Sequence, residues 1–161
     1  MIDIASGTGL AAEAAAAVVG PRGRVLATDV SPPMLQQAQA RLGELANVSC
    51  AVEDAQSLTL ADESFDAVIC NMGLMYFPDP ARSLSEFRRV LRPGGRAAVS
   101  VYASPATFRL TPGRGLVGGV LGAIARQVPA KTAEIDSFFT FGRDRQINAL
   151  FEDARFQEVE T

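Results

Sequence analysis

Three acidic residues, Asp3, Asp29 and Asp54, fall at the carboxyl ends of short apolar runs. The first run leads at once into the turn Ala5-Ser6-Gly7-Thr8-Gly9. Gly7 and Gly9 carry no side chain, so a ligand can come close to the backbone there. A carboxylate at the end of the next run can accept hydrogen bonds from both hydroxyls of a ribose. Taken singly, the turn is an ordinary strand-to-helix connection and Asp29 a solvated strand end. In this order, they point to an adenosine-containing ligand. Two nucleoside cofactors compete at this stage. Gly7-Thr8-Gly9-Leu10-Ala11-Ala12 satisfies the loose dinucleotide pattern Gly-x-Gly-x-x-Gly/Ala, and Asp29 lies 20 residues beyond Gly9. That motif alone would suit an NAD(P)-dependent oxidoreductase. Against it, neither Tyr76 nor Tyr102 is followed four positions later by lysine, and the chain has no histidine to donate a proton in hydride transfer.

The lack of histidine also excludes His-based triads and His metal sites. Cys50 and Cys70 are too few for a disulfide scaffold or a zinc cluster and read as small buried hydrophobes, so no metal is expected. Fifteen basic against eighteen acidic residues give net −3, which gives no support to a nucleic-acid partner. The longest uncharged apolar run, Gly115 to Ala125, is well short of the roughly 18–20 residues of a membrane span. No basic segment leads into an apolar stretch at the start, so the expected location is cytoplasmic. With 161 residues, 48% of them hydrophobic, the chain has material for one folded domain.

The elements that must position the three carboxylates alternate in kind. Met1 to Ile4 reads as a strand and Leu10 to Val19 as an alanine-rich helix ended by Gly20-Pro21. Arg24 to Thr28 is a second strand. Ser31 is placed as an N-cap with Pro32 at the first helical position, for a helix ending near Leu42. Val48 to Val52 and Phe65 to Asn71 are strands, Pro80 to Leu91 a helix stopped by Arg92-Pro93-Gly94-Gly95, and Arg96 to Tyr102 a fifth strand. Such repetition predicts an α/β fold, a doubly wound and mostly parallel sheet with helices on both faces. From Ala103 to Gly142 the pattern lapses, with Pro105, Pro112 and Pro129 and a run of glycines. This stretch reads as an acceptor-side insertion or lid with a short helix near Leu116 to Gln127. Asp144 then caps a helix to about Ala154, and Phe156 to Glu160 reads as one more strand. The expected organisation is a single domain over 1–161, with a core at 1–102, the insertion at 103–142 and a final helix-strand unit at 143–161.

Asp3-Ile4-Ala5-Ser6-Gly7-Thr8-Gly9 resembles the first motif of class I S-adenosylmethionine-dependent methyltransferases, acidic-x-Gly-x-Gly-x-Gly. The order continues as in that family. Asp29-Val30-Ser31-Pro32-Pro33-Met34-Leu35 resembles its second-strand motif and Val52-Glu53-Asp54-Ala55 its third. Ser64-Phe65-Asp66-Ala67-Val68 leads to Asn71, and Arg88-Arg89-Val90-Leu91-Arg92-Pro93-Gly94-Gly95 is characteristic of the small-molecule branch that includes ubiquinone and menaquinone biosynthesis. The resemblance covers about residues 1 to 102 continuously and fits again from Phe141 to Val159.

The resemblance implies S-adenosyl-L-methionine as cofactor and a small, apolar methyl acceptor. It implies that the backbone of Ala5, Ser6, Gly7 and Gly9 lies along the methionine and ribose, with Asp3 helping to hold the amino group. Asp29 would take the ribose hydroxyls, and Val30 and Met34 would stand beside adenine. Asp54 and Ala55 would read its edge, and Asn71 would meet the methionine end through its backbone carbonyl. Transfer of an activated methyl group asks mainly for near-attack geometry in a water-poor site. No base is assigned; Tyr76 is the candidate by position, with packing as its other reading. Met72-Gly73-Leu74-Met75-Tyr76-Phe77 and Phe138, Phe139 and Phe141 would line the acceptor side, and Arg109 and Arg114 are positioned to meet an acidic acceptor.

Departures from the pattern are specific. Ala5 stands where the family has its first glycine, and Arg155 stands where glycine usually precedes Phe156. A left-handed residue there would cost about 1–2 kcal/mol more than glycine. The family's helix before the first strand and its last strand have no counterpart, so the sequence reads as a methyltransferase core shortened at both ends. That reading also admits a catalytically silent cofactor-binding fragment. It predicts that Phe156 to Glu160 is unpaired or docked beside the fifth strand, and that a complete seven-stranded sheet is not formed. In the family strand order 3-2-1-4-5-7-6, Cys50 and Cys70 lie three strand positions apart, too far for a disulfide.

Overall fold

The computed structural model describes residues 1–102, 141 and 146–160. Five strands, β1 (Ile2–Ile4), β2 (Val25–Asp29), β3 (Val48–Val52), β4 (Phe65–Asn71) and β5 (Leu91–Ser100), form one sheet in the order β3-β2-β1-β4-β5. Every pair is parallel. Helices α1 (Leu10–Val19), α2 (Pro32–Leu42), α3 (Pro80–Val90) and α4 (Gln146–Asp153) complete the fold, with a 3₁₀ turn at Leu74–Tyr76. The strand order reverses between β1 and β4, and such a switch point is where open α/β sheets bind ligands.

β1 is central and buried on both faces, so Ile2, Asp3 and Ile4 are all inside. One core layer joins Ile2, Ile4, Val68 and Cys70 to Leu84, Phe87 and Val90 of α3 and Phe151 of α4. The other joins Val25 and Ala27 to Ala12, Ala15 and Ala16 of α1 and Ala38 and Leu42 of α2. Small alanines let α1 approach the sheet closely, and the stripe Leu35, Ala38, Leu42 gives α2 its inner face. Gly9 seals the corner between them. A Cβ there would lie 2.7 Å from Leu42 Cδ1 and 3.3 Å from Ala38 Cβ, in a backbone at φ +84°.

The structure corrects several expectations. β5 begins at Leu91, directly after α3, and not at Arg96. Leu91 pairs with Phe65 and Arg96 with Ala67, so Arg92 to Gly95 form a bulge in which Gly94 takes φ 79°. The fifth strand accordingly ends at Ser100 rather than Tyr102. Ser31 occupies the N-cap of α2, but its side chain makes no capping bond; Asp29 Oδ1 takes the Ser31 N–H instead, at 2.9 Å. Phe156 to Glu160 forms no strand. Arg155 at φ 63° and Glu158 at φ 56° turn the backbone out of the extended region, and Phe156 folds back on Phe151, ring centroids 5.0 Å apart. Arg155 therefore sits in the left-handed cap that its position implied, with Phe156 N–H bonded to Phe151 O at 3.0 Å. Cys50 and Cys70 are both free.

The helix expected near Leu116 to Gln127, the Asp144 cap, and Phe138, Phe139, Arg109 and Arg114 lie outside the described residues. Phe141 is described and packs against the α3-side core. Among the described residues, no helix is long and apolar enough to cross a membrane.

Candidate functional site

The first crossing from strand to helix sets the site. After β1, Ser6 N–H donates to Thr28 O at 2.8 Å and Gly9 N–H to Ser6 O at 2.9 Å, folding Ala5 to Gly9 into a tight turn against the end of β2. Gly7 N–H donates to Asp29 Oδ2 at 2.9 Å, while Asp29 Oδ1 accepts from Ser31 N–H. One carboxylate thus ties the glycine turn to the start of α2. Each of its oxygens keeps a second lone pair, enough for two vicinal hydroxyls. Gly7 lies at φ 56°, and a Cβ there would meet nothing within 4 Å, so the turn faces open space.

Asp3 is 0% exposed, between Ala27 and Ile69 in register on the flanking strands. Neither of its side-chain oxygens accepts a well-formed hydrogen bond from a described residue, and the buried Ser6 hydroxyl is likewise unpartnered. Burial pushes the Asp3 pKa up to about 7; the Ala12 N–H works against the rise, and the charge of Asp29 adds to it. Buried polar atoms without partners are rare and ask for an explanation. Here they border a backbone turn that faces open space. A ligand with a cationic amine and several hydrogen-bonding atoms fits that combination.

Val30 and Met34 follow Asp29 and stand exposed, at 68% and 43%. Met34 is therefore not a core residue, the role that helical methionines most often have. Asp54 is exposed in a turn of its own: Oδ1 accepts from Gln56 N–H at 2.9 Å, and its neighbour Ala55 is buried. These residues lie at the same carboxyl ends as Asp29, since Glu53 N–H donates to Asp29 O at 3.2 Å. Asn71 closes β4, in register with Ser100. Tyr76 is exposed on the 3₁₀ turn. Leu74 and Phe77 depart from the expected acceptor lining. Leu74 is fully buried, and Phe77 packs into the core and meets Phe87 edge-on at 6.4 Å.

Ala5 carries strain. Its φ is 56°, a region in which any residue but glycine costs about 1–2 kcal/mol. Room for its methyl exists because position 73 is glycine: a Cβ on Gly73 would lie 2.7 Å from Ala5 Cβ and 2.8 Å from Cys70 Sγ. Ala5→Gly is expected to raise the unfolding free energy by about 0.5–1 kcal/mol, strain relief exceeding the added freedom of the unfolded chain. Urea denaturation checks this, and a loss of stability would contradict it.

Sequence reasoning missed three supporting groups. Glu53 is buried and accepts from Thr59 N–H at 2.8 Å and Thr59 Oγ1 at 2.6 Å, anchoring the loop after Asp54. Gln56 accepts from Asp79 N–H through its side chain and from Arg82 Nε through its backbone, both at 2.7 Å, joining that loop to α3. Ser100 bonds to Asn71 and to the backbone after it. Only strand register brings Ser100 to Asn71, so no local signal could have paired them.

Two concavities border the sheet. One of about 1050 Å³ runs along β5 and α4, lined by Arg92, Gly95 and Glu158; another of about 460 Å³ lies between α1 and the sheet, lined by Ala11, Val18 and Ala98 and reaching Asn71 and Ser100 at the strand ends. Neither touches the glycine turn, Asp29 or Asp54. The unpartnered buried groups, not the larger hollow, mark the site.

Comparison with known proteins supplies independent findings. The family described as "Methyltransferase domain" matches residues 2–99. The chain is 31% identical to the demethylmenaquinone methyltransferase of Staphylococcus carnosus (strain TM300), over 99% of the chain and 68% of that protein. It is 37% identical to the ubiquinone/menaquinone biosynthesis C-methyltransferase of Hahella chejuensis (strain KCTC 2396), over 65% of the chain but 43% of that protein. Among solved structures, an arsenic(III) S-adenosylmethionine methyltransferase from Chlamydomonas reinhardtii aligns with TM-score 0.68 and 27% identity, over 95% of this chain and 50% of that one. The chain thus spans from under half to about two thirds of the length of these proteins.

Proposed function

The chain belongs to the methyltransferase domain family, with S-adenosylmethionine as its cofactor, and from that premise we propose that it carries a methyl group to a small, apolar metabolite. The names of the two relatives favour a quinone-type acceptor. The observation that carries the reading is the Asp29 carboxylate, which braces the glycine turn at Gly7 with two lone pairs to spare, next to the unpartnered carboxylate of Asp3.

When bound, the donor would supply a methyl group already activated on a sulfonium sulfur, which would keep the electron pair of the carbon–sulfur bond, while the acceptor would give up a proton. The chain's own part is placement. Asp29 holds the ribose hydroxyls, and Ala5, Ser6, Gly7 and Gly9 line the ribose and methionine with backbone. Asp3 faces the cationic amine. Val30 and Met34 cover the adenine ring, while Asp54 and Ala55 meet its edge. Asn71 offers its carbonyl to the methionine end. Fixing donor and acceptor within attack distance supplies much of the barrier reduction in such transfers. No base is assigned; where the nucleophile needs one, Tyr76, exposed on the 3₁₀ turn after β4, would be the candidate to take the acceptor's proton.

Calorimetric titration with S-adenosylhomocysteine and, separately, with NADH tests this. Binding of the first and not the second is expected, and binding of NADH alone would overturn the reading in favour of hydride transfer. A screen of candidate metabolites with labelled methyl donor then identifies the acceptor. Cofactor binding with no labelled product from any quinone-type acceptor would favour a silent cofactor-binding role.

A further inference from the structure

At the carboxyl end of β4 the backbone turns through Met72 in the left-handed region, φ 59°, a rare conformation for a side chain of that size. Strain of this kind persists only where the surroundings enforce it, and it gathers at functional sites. Here Ser100 enforces it. Met72 N–H donates to Ser100 Oγ at 3.0 Å and to Ser100 O at 3.1 Å, and the Ser100 hydroxyl donates to Asn71 Oδ1 at 2.7 Å. The carboxamide oxygen of Asn71 is therefore committed to β5. Its –NH₂ is left on the side away from β5, exposed, with no hydrogen bond to a described residue.

On that side β4 adjoins β1, whose end runs into the glycine turn. Asn71 thus ends its strand beside the turn assigned to the cofactor, and with Ser100 it lines the apolar hollow between α1 and the sheet. Around that crevice Asp3, Asp29 and Asp54 are acceptors when ionised, whereas Asn71, like the buried hydroxyl of Ser6, presents a neutral donor.

We propose that Asn71 selects the methyl acceptor by donating a hydrogen bond to an acceptor oxygen, a phenolate, enolate or ring carbonyl, and that Ser100 is the positioning residue that keeps the –NH₂ turned toward it. This rests on the methyl-transfer reading above and assigns recognition of the acceptor's oxygen to one side chain. An N–H donor favours the ionised form of such an oxygen, which makes the acceptor more nucleophilic without a histidine.

The test uses the whole chain saturated with S-adenosylhomocysteine and titrated with 2-naphthol and with naphthalene, two probes that differ by one oxygen. The wild type is expected to prefer 2-naphthol about tenfold, the order set by one hydrogen bond that must compete with water. Asn71→Asp keeps the acceptor for Ser100 but replaces the donor, so the preference is expected to fall to about one. Ser100→Ala releases the amide and should cut the preference to a few fold, and Ser100→Thr, which keeps the hydroxyl, should restore it. Naphthalene affinity in each variant reports whether the fold survives, which a general structural role for Ser100 would change together with naphthol affinity. Failure of the wild type to take up S-adenosylhomocysteine would overturn the methyl-transfer reading and this one with it. Uptake of S-adenosylhomocysteine without a 2-naphthol preference, or with a preference that Asn71→Asp leaves intact, would overturn the Asn71 assignment alone. Should Asn71→Asp fail to fold, an unchanged preference in Ser100→Ala would overturn it as well.

Discussion

Asp29→Ala should abolish S-adenosylhomocysteine binding, with affinity falling at least a hundredfold. The carboxylate serves two roles at once. It receives the Gly7 and Ser31 N–H groups, both at 2.9 Å, and in the proposed complex it also receives two ribose hydroxyls. Hydrogen bonds to a charged acceptor contribute about 1.5–3 kcal/mol each, and about 1.4 kcal/mol is a factor of ten in affinity. Loss of the ribose pair alone therefore accounts for a hundredfold. The glycine turn and the first turn of α2 lose their common anchor as well, so the free protein should unfold about 1–3 kcal/mol more easily. Asp29→Asn keeps the shape but can oppose an amide –NH₂ to one of the backbone donors, and should fall between the two. Calorimetry and urea denaturation measure the two effects separately. Unchanged affinity in Asp29→Ala would mean that the cofactor lies elsewhere.

The second large effect is one of pH. Asp3 titrates near an ordinary value of 3.8 when unfolded and at about 7 when buried in the fold. Its folded pKa is raised, so its share of stability is fully present below the unfolded value. That share is lost as pH climbs through the folded value, because the unfolded chain releases the proton first. At about 1.4 kcal/mol per unit, the loss between pH 4 and pH 7 is on the order of 4 kcal/mol. Asp3→Asn cannot ionise. It should be flat across that window and more stable than the wild type at pH 8, by urea denaturation. Glu86 and Asp66 are shifted the other way, held below the ordinary carboxylate range by Arg89 and Arg92 respectively. Their stability is lost as pH falls through their folded values, in acid and outside the window in which Asp3 acts. An ammonium group brought against Asp3 by a bound ligand reverses the preference of this carboxyl for its proton. S-adenosylhomocysteine binding should release a proton near neutral pH and tighten as pH rises toward 8. Asp3→Asn should lose affinity and show neither behaviour. Titration in buffers of different ionisation enthalpy reads the proton directly, and an equal pH slope in wild type and variant would refute the assignment.

Much of this site can be read along the chain because its parts are local. The glycine turn follows β1 within a few residues, Asp29 and Asn71 each end a strand, and Asp54 follows the end of β3, all three strands being apolar runs visible by themselves. Parallel sheets bury both faces of their strands, which makes those runs easy to see. The start of β5 was hidden for the opposite reason. Arg92-Pro93-Gly94-Gly95 has the composition of a helix stop, and the pairing of Leu91 with Phe65 that makes it a bulge is a contact across 26 residues. The strand expected at Phe156 to Glu160 fails on backbone geometry, at Arg155 and Glu158, for which neither residue type gives a cue.

Sequence alone determined the order of the elements, which follows from spacing along the chain, while the cofactor class followed from the family resemblance that its motifs carry. It also excluded histidine chemistry and set Asp29 at the end of the second strand, where the proposed ribose contact would be made. The tertiary structure decided what those residues can do there. Burial without a partner turns Asp3 from a motif letter into a group that holds its proton up to about pH 7. The shared acceptor joins Gly7 to Ser31 through one carboxylate. Strand register brings Ser100 from 29 residues away to set the amide of Asn71. Desolvation, register and hydrogen-bond direction arise only when distant segments are packed together, so a linear pattern does not carry them.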